Sequence, residues 1–216
     1  MAHFNHGDHI CLMYDNAEQQ RAIVVSFLRE GLERGECCIF VADEHTTEEI
    51  SALLTNAGID ARRFSDSGAL KLTTKYAAYL RTGTFSPDFM IDFLGKSVDD
   101  AIQRGFSGIR GTAEMTWALS IGCERLVEYE AMLNRFIPQW PFIGLCQYNR
   151  RRFAPNILKG VLRTHPLYLD DDLYTNFYYE PPDIVLGKLS ESDCVDWMID
   201  HLKELPSAKR PNLPAS

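Results

Sequence analysis

Apolar and polar positions along the chain form alternating blocks that predict strands and helices in turn. Short apolar runs bounded by turn residues are typical of buried strands. After the proline at position 166, "LYLDDDLYTNFYY" predicts either two short strands around an acidic turn or one strand and a loop. Five clearer strand-like runs come before it: "HICLMY" (9–14), "CCIFVA" (37–42), "LKLTT" (70–74), "FSGIRGTAEM" (106–115) and "FIGLCQY" (142–148).

Apolar residues at helical spacing fill the intervals between these runs. A helix is predicted from about 16 to 34, with Asn16 as its N-cap. Thr46 followed by Glu49 forms a capping-box pattern, and the Ser-Pro pair at 86–87 marks another helix start. Further helices are predicted at 123–137, 155–163 and 192–205.

Strands that alternate with helices predict an α/β fold, with a mostly parallel central sheet and helices on both of its faces. Since no repeat or Gly/Ser linker divides the chain, one domain is predicted over 1–205, with a core at about 7–182 and a C-terminal helix at about 192–205. Residues 206–216 hold three prolines in eleven positions and predict a flexible tail.

Composition and charge narrow the classes of function. The 216 residues are 45% hydrophobic and 24% charged, which is typical of a globular protein. A formal net charge of -8 and a pI of about 5.2 argue against nucleic acid or a membrane surface as a direct partner. No apolar run approaches a membrane span, the first residues do not resemble a signal peptide, and the six cysteines form no C-x-x-C pair. These observations predict a reduced, cytoplasmic protein.

Polar and aromatic residues gather where the predicted strands end, which is where open α/β sheets bind ligands. We therefore expect a small-molecule pocket there, for a compound that is apolar with one polar or anionic group. Aromatic walls, groups that bind the polar end, and carboxylates that orient those groups make up the candidate set. The candidate aromatic walls are Tyr14, Trp117 and Tyr148. The candidates that bind the polar end of the ligand are Arg110, Arg151 and His165. The candidate orienting carboxylates are Glu44 and Glu114, with Asp15 beside them.

Structural explanations of the same residues stay open at this point. Glu114 would serve equally well as the partner of an arginine, and Trp117 as a core residue. The arginine run 150–152 has a candidate internal partner in the acidic run 170–172.

Catalysis and metal binding have no sequence signal. Neither a nucleophile elbow, nor an H-E-x-x-H motif, nor a G-x-G-x-x-G loop after a strand is present, so no catalytic residue and no cofactor is predicted. His3, His6 and His9 are spaced by three and Cys11 follows, but the paired ligands typical of zinc sites are missing. No metal site is predicted.

The first half of the chain resembles the RecA/KaiC-type P-loop fold, as shown by "FLREGLERGECCIFVADE". Where that family has its phosphate loop, this chain has "YDNAEQQ", without the lysine or the hydroxyl residue that phosphate and magnesium require. The resemblance therefore implies a degenerate phosphate loop and no ATP hydrolysis.

A second resemblance covers about 7–182. The blocks "DHICLMYDNAEQ", "GLERGECCIFVADE", "IRGTAEMTWAL", "LCQYNRRRF", "RTHPLYL" and "NFYYEPP" are similar to the MEDS domain, a sensory module of methanogens and methylotrophs. That resemblance implies a non-catalytic sensor of small hydrocarbon-derived or methylated compounds. Because no helix-turn-helix or kinase segment is evident, it also implies signalling through a protein partner such as a histidine kinase or transcription regulator. Homodimerisation through the C-terminal helix remains open.

Three alternatives accompany this interpretation. The chain would also suit a ligand-independent interaction module for a histidine kinase or anti-sigma-type ATPase. It would suit a degenerate ATP-binding protein in which arginines replace the missing lysine. A redox sensor that uses Cys37 or Cys38 is the weakest of the three, since adjacent cysteines rarely form a disulfide.

Overall fold

The computed structural model describes residues 3–120 and 123–204 and gives an α/β fold with seven strands. The strands are β1 (His9–Tyr14), β2 (Cys37–Ala42), β3 (Leu70–Thr74), β4 (Ile109–Glu114), β5 (Phe142–Asn149), β6 (Leu167–Leu169) and β7 (Leu173–Thr175). The helices are α1 (Ala17–Glu33), α2 (Thr47–Asn56), α3 (Ala61–Ser67), α4 (Pro87–Gln103), α5 (Cys123–Phe136), α6 (Pro155–Thr164), α7 (Pro182–Val185) and α8 (Glu191–Glu204), with 3-10 turns at Met115–Leu119 and Ile137–Gln139.

All the strands belong to one sheet in the order β3-β2-β4-β5-β1-β6-β7. Neighbouring strands run parallel, except that β7 pairs antiparallel with β6. The predicted mostly parallel sheet is therefore confirmed, and the segment after the proline at 166 forms the two short strands that were one of its two interpretations.

Local sequence explains where the first helices begin. The Asn16 side chain accepts a hydrogen bond from the Gln19 N–H, which caps α1. Thr46 and Glu49 exchange the two bonds of a capping box at the start of α2. Both caps satisfy backbone N–H groups that lack a partner within the helix. The predicted helix starts are thus confirmed at the level of single hydrogen bonds.

Side chains on the two faces of the sheet form two separate hydrophobic cores. One core packs the sheet against α1, α2 and α3 and contains Phe27, Leu28 and Phe40. The other packs the opposite face against α4, α5 and α6 and contains Met90 and Leu126. Because successive side chains of a strand point to opposite faces, the strands β1, β2 and β5 contribute to both cores.

Two features of the fold do not follow from the sequence pattern alone. The short helices α3 and α7 were not predicted. The apolar stripe of α8 is largely exposed, with Val195 and Leu202 at 53% and 67% of their full accessibility. The flexible tail expected at 206–216 lies outside the described residues. Within the described ranges, no helix is both long and apolar enough to cross a bilayer.

Candidate functional site

The carboxyl edge of the sheet, where a ligand pocket was expected, is organised by Glu114. This residue ends β4, and its Oε2 accepts hydrogen bonds from the backbone N–H groups of Asp43, Glu44 and His45 at 2.7, 2.7 and 3.1 Å. Its Oε1 lies 3.0 Å from Gln20 Nε2 and 2.5 Å from His45 Nδ1. Burial opposes its charge, but these bonds outweigh that effect and lower the pKa of Glu114. Glu114 therefore holds the turn after β2 in place.

Tyr14 and Asp15 at the end of β1 are also satisfied from within the protein. The Tyr14 hydroxyl donates to Glu44 Oε2 at 2.7 Å, and burial together with this bond raises the pKa of Tyr14. Arg152 Nη1 lies 2.8 Å from Glu44 Oε1, and Arg150 Nη1 lies 2.8 Å from Asp15 Oδ2. Two arginines of the run thus pair with acids at the ends of β1 and β2, not with the acidic run 170–172.

Arg110 lies at the opposite end of the sheet from Glu114. It is the second residue of β4, fully buried, and its Nε lies 2.5 Å from Glu36 Oε2 and its Nη1 3.3 Å from Glu30 Oε2. Its guanidinium carbon lies 4.9 Å from the centre of the Phe27 ring. This placement corrects the expectation that Arg110 stands at the carboxyl edge: a residue that begins a parallel strand lies at the amino edge.

Two further predicted residues, Trp117 and Arg151, also lie away from Glu114. Trp117 is fully buried in the core beside α4 and α5, where its ring stacks on Tyr79 at 4.4 Å and lies 4.5 Å from Phe85. Arg151 is exposed, and its backbone N–H donates to Asn149 Oδ1. Trp117 is therefore a core residue, which was the structural alternative to its predicted role as a wall of the ligand pocket.

Tyr148 and His165 belong to a buried polar cluster behind the sheet. The Tyr148 hydroxyl donates to Glu130 Oε1 at 2.5 Å. Around Glu130 Oε2 lie His9 Nε2 at 3.1 Å, His165 Nε2 at 3.4 Å and Cys146 Sγ at 3.6 Å. All of these side chains are at most 6% exposed. The structure therefore places Tyr148 and His165 on the face opposite the one that carries Tyr14 and Glu114, so the nine predicted residues do not surround one pocket.

Electrostatics in this cluster centre on one carboxylate. Burial disfavours the charge of Glu130, but the charge of His165, the close contact with that ring and then the contacts with His9 outweigh burial and hold the pKa of Glu130 well below its ordinary range. Burial and then the charge of His165 lower the pKa of His9. Burial, aided by the charge of Glu130, raises the pKa of Cys146 and of Tyr148. The cluster thus contains an ionised carboxylate in a dry environment.

Sequence reasoning missed this cluster because its members are separated by long stretches of chain. Of the regularly spaced His3, His6 and His9, only His9 enters the cluster. The available signal was a polar residue at an inward-facing position: a glutamate within the apolar stripe of α5, and a histidine beginning β1.

A cavity of about 330 Å³ lies between the sheet and the helices α4 and α5. None of the nine predicted residues lines it. Its walls are mainly apolar and its rim carries two exposed cations, Lys71 and Arg81. Its lining from the sheet includes Val41, Gly111, Ala113, Gly144 and Cys146. Cys146 therefore belongs both to this cavity and to the buried polar cluster.

The cysteines offer little support for a redox sensor. The five cysteines whose side chains are described are free thiols, and four of them are buried. Burial raises the pKa of Cys37 and of Cys38, so the thiolate form that reacts with oxidants is disfavoured at both.

The strand order and the helices on both faces define the class of this protein as a RecA/KaiC-like α/β domain. A KaiC-like protein from the hyperthermophilic archaeon Pyrococcus horikoshii OT3 superposes with a TM-score of 0.54 over 76% of this chain and 70% of that one, at 14% identity. At that identity the likeness concerns the fold.

Residues 8–166 match the model of the MEDS family, "MEthanogen/methylotroph, DcmR Sensory domain", and the chain belongs to that family. The transcriptional repressor DcmR of Methylorubrum extorquens is 29% identical over 161 residues. That match covers 73% of this chain and 58% of the repressor. Family membership and this relative together support a sensory and regulatory role.

Proposed function

We propose that this chain is a non-catalytic sensory module that binds a small, largely apolar molecule in the cavity beneath α4 and α5. The observation that carries the proposal is the chemistry of that cavity: apolar walls below a basic rim. The bound molecule then alters how the module acts on a regulatory partner, either a transcription regulator or a histidine kinase.

The size of the cavity favours a small compound. A volume of about 330 Å³ is near the lower limit of the range that ligand pockets occupy, roughly 300–1,000 Å³. The sheet side of the cavity combines the larger side chains Ile39 and Phe142 with the small Ala113 and with Gly111 and Gly144, which contribute no side chain. Hydrocarbon-derived or methylated compounds suit such walls.

The rim favours a ligand with one anionic or polar group. Lys71 lies on β3 and Arg81 follows the turn after it, and both are exposed at the edge of the cavity. Arg81 also lies over the Phe93 ring, with its guanidinium carbon 5.9 Å from the ring centre. A carboxylate at the mouth would thus meet two cations while its hydrocarbon part occupies the interior.

Aromatic contacts connect the cavity to the segment that leads into α4. The lining residue Tyr79 stacks on Trp117, and Phe85 contacts both rings before α4 begins. A ligand that shifts the position of Tyr79 would therefore change the packing of the segment that leads into α4. Signalling requires that the ligand bind one arrangement of this segment more tightly than another.

The test is a thermal-shift screen of straight-chain carboxylates, the corresponding alcohols and amines, halomethanes and methylated amines. At least one small compound should raise the melting temperature of the wild type. The variant Ala113→Leu, which fills the cavity, should lose that response, and Ala52→Leu, on the exposed face of α2, should keep it.

The rim is tested with the charge-removing variant Lys71→Gln/Arg81→Gln. This variant should weaken the binding of carboxylates more than the binding of alcohols of the same length. Arg62→Gln, at a solvent-exposed position, should change the binding of neither class of compound. A response that survives in Ala113→Leu would place the ligand elsewhere and contradict the proposal.

The exposed stripe of α8 supports a second candidate function, a protein-interaction module that needs no ligand. Val195, Met198, Ile199 and Leu202 are each 47–67% exposed, which is unusual for aligned apolar residues. Leu202→Asp should then abolish association with the cognate regulator and leave thermal shifts by small compounds unchanged. Sedimentation of the wild type and this variant separates such an interface from homodimerisation through α8.

A further inference from the structure

The four buried residues His9, Glu130, Cys146 and His165 bring four potential metal-ligand atoms to one point. One ligand atom from each residue lies within 4.8 Å of the other three, and the shortest contacts run from His9 Nε2, His165 Nε2 and Cys146 Sγ to Glu130 Oε2. The residues come from β1, α5, β5 and the segment that follows α6. We propose that this cluster is a binding site for a divalent transition-metal ion, with Zn²⁺ as the reference ion.

The spacing fits tetrahedral coordination. Zinc bonds of roughly 2.0–2.3 Å to nitrogen, oxygen and sulfur place neighbouring ligand atoms about 3.3–3.7 Å apart. The measured separations are 3.1 Å for His9 Nε2 to Glu130 Oε2, 3.4 Å for His165 Nε2 to the same oxygen, 3.6 Å for Cys146 Sγ to that oxygen and 3.7 Å for Cys146 Sγ to His9 Nε2. The other two separations are at most 4.8 Å, so a central ion requires the side chains to move inward at the widest pairs.

Hydrogen bonds orient His9 to present a lone pair to this point. Its Nδ1 lies 3.0 Å from Asn134 Oδ1. The amide of Asn134 is fixed, because its Nδ2 donates to the carbonyl oxygens of Thr164 and Glu130. Nδ1 of His9 must then be the donor, which leaves Nε2 as the acceptor in the neutral ring.

His165 is oriented in the same way. Its Nδ1 lies 2.8 Å from the carbonyl oxygen of Val161, which can only accept, so the N–H of the neutral ring is on Nδ1. Its Nε2 is buried and finds no hydrogen bond of suitable geometry among the described residues. Metal-ligating histidines typically donate their second ring N–H to a carbonyl or carboxylate oxygen, and both rings show that arrangement.

These orientations create a need for a cation. In their neutral forms, both rings would direct nitrogen lone pairs at the Glu130 carboxylate, and the direct separations of 3.1 and 3.4 Å leave no space for a water between the groups. Either extra protons or a metal ion must lie between them. A single ion at this point would contact all four residues at once, including the buried His165 Nε2, which lies 3.4 Å from Glu130 Oε2 but makes no hydrogen bond of suitable geometry among the described residues.

The donor set selects the class of metal. Two imidazoles, one thiolate and one carboxylate suit Zn²⁺, Co²⁺ or Fe²⁺, whereas Mg²⁺ and Ca²⁺ prefer oxygen ligands alone. Cys146 is the one member of the four that lines the cavity. If the proposed sensory function holds, the metal-bound sulfur forms part of the wall that a ligand contacts, but metal binding itself does not depend on that function.

The experiment uses cobalt as a spectroscopic probe of the whole chain. The protein is unfolded in urea with a chelator, then refolded with either Co²⁺ or no metal, and folding is checked by circular dichroism. We expect one cobalt per chain, visible d–d absorption of tetrahedral intensity and a thiolate-to-cobalt charge-transfer band. Zn²⁺ should displace cobalt and raise the melting temperature, and no small-molecule ligand is added.

Variants assign the ligands. Cys146→Ser should lose the charge-transfer band, and Cys38→Ala, a buried thiol on the other face of the sheet, should keep it. Asn134→Leu removes the orienting bond of His9 together with the bonds of Asn134 to the carbonyl oxygens of Glu130 and Thr164, and should weaken cobalt binding roughly 10–100-fold. Should Cys146→Ser not fold, X-ray absorption of the wild-type cobalt form still decides, because it must show one sulfur and two imidazoles.

A folded wild type that takes up no cobalt, or one whose cobalt has no sulfur ligand, overturns the metal site. Loss of the metal site with intact thermal shifts by small compounds would leave the sensory proposal standing. Metal binding without any thermal shift by small compounds would leave the metal site standing and contradict the sensory proposal.

Discussion

His45 Nδ1 and Glu114 Oε1 lie 2.5 Å apart at the carboxyl edge of the sheet, where the turn after β2 meets the end of β4. The other oxygen of Glu114 accepts three backbone N–H bonds from that same turn. The carboxylate therefore closes the turn in the manner of a capping residue. The edge at which related folds bind phosphate is here occupied by the protein's own polar groups.

The His45–Glu114 pair makes stability depend on pH. The hydrogen bond to Glu114 raises the pKa of His45 above its ordinary value of about 6.5, with burial and Arg21 opposing and Glu49 assisting. A raised histidine pKa stabilises the fold fully below about pH 6.5, and the effect is lost as pH rises through the raised pKa. The lowered pKa of Glu114 stabilises the fold above about pH 4.5.

We therefore expect the unfolding free energy of the wild type to exceed that of His45→Gln most clearly between about pH 4.5 and 6.5. The difference should shrink toward pH 9. Urea unfolding of both proteins across this range measures the difference in unfolding free energy. Titrating groups outside the His45–Glu114 pair contribute equally to both proteins and cancel in that difference. A gap that stays constant with pH would show that the pair carries no charge.

Arg110 and Glu36 form a buried ion pair whose separation should be costly. In Arg110→Met, the carboxylate of Glu36 loses its closest partner, although His6 and Arg34 remain 3.4 and 3.7 Å away. Breaking a buried pair on one side costs about 3–5 kcal/mol, and we expect the lower part of that range here. The measurement is urea unfolding at neutral pH.

The double variant Arg110→Met/Glu36→Leu provides the control for this pair. It removes both charges and should recover most of the stability, because no buried charge is left without a partner. A double variant no more stable than Arg110→Met would mean that the shape of Arg110, including its contact with Phe27, matters more than its charge.

Two helical glycines should respond in opposite ways to the same substitution. A Cβ on Gly31 of α1 would stand 2.7 Å from Arg110 Cδ and 2.7 Å from Cys38 Sγ, both held in the core. We expect Gly31→Ala to destabilise the fold by about 1–3 kcal/mol despite the better helix propensity of alanine.

Gly95 of α4 is the matched control for Gly31. A Cβ there would meet Phe136 at 3.7 Å and Trp140 at 3.8 Å, which are ordinary contacts. Gly95→Ala should therefore stabilise the protein by roughly 0.5–1 kcal/mol. Thermal or urea unfolding of both variants checks the pair, and equal effects at the two sites would contradict the close approach of α1 to β4.

Much of the fold was predictable because it depends on local patterns. The caps at Asn16 and Thr46 follow from adjacent residues, and buried parallel strands appear as uninterrupted apolar runs. Helix α3 was missed because Ala61–Ser67 is short and shows little apolar periodicity. The exposure of α8 was beyond prediction, since an amphipathic pattern does not identify what covers the apolar face.

The site was less predictable because it depends on which face of the sheet each side chain takes. Tyr14 and Tyr148 both stand near strand ends, yet their side chains enter different cores. Glu130 and His165 are 35 positions apart in the sequence, and their contact arises only when α5 and α6 pack together. A rule that ligands bind at strand ends cannot detect a cavity beneath helices on one face.

Mg-ATP should neither bind nor be hydrolysed. The N-terminus of α1, which would face a phosphate, has Glu18 in its first turn, and Asn16 already accepts the Gln19 N–H. Asp15 stands beside these groups, and carboxylates compete with phosphate for the same positive end of the helix. We expect no change of melting temperature in millimolar Mg-ATP and no phosphate release above a protein-free control.

The outcome that would contradict this prediction is a saturable thermal shift by Mg-ATP that disappears in the double variant Arg150→Gln/Arg152→Gln. That result would show that the two arginines leave Asp15 and Glu44 to replace the missing lysine. Both pairs lie at exposed guanidinium groups, so their net stabilisation is at most about 1 kcal/mol. The arginines are therefore free to reorient, and the carboxylates around the helix start are what we expect to exclude the nucleotide.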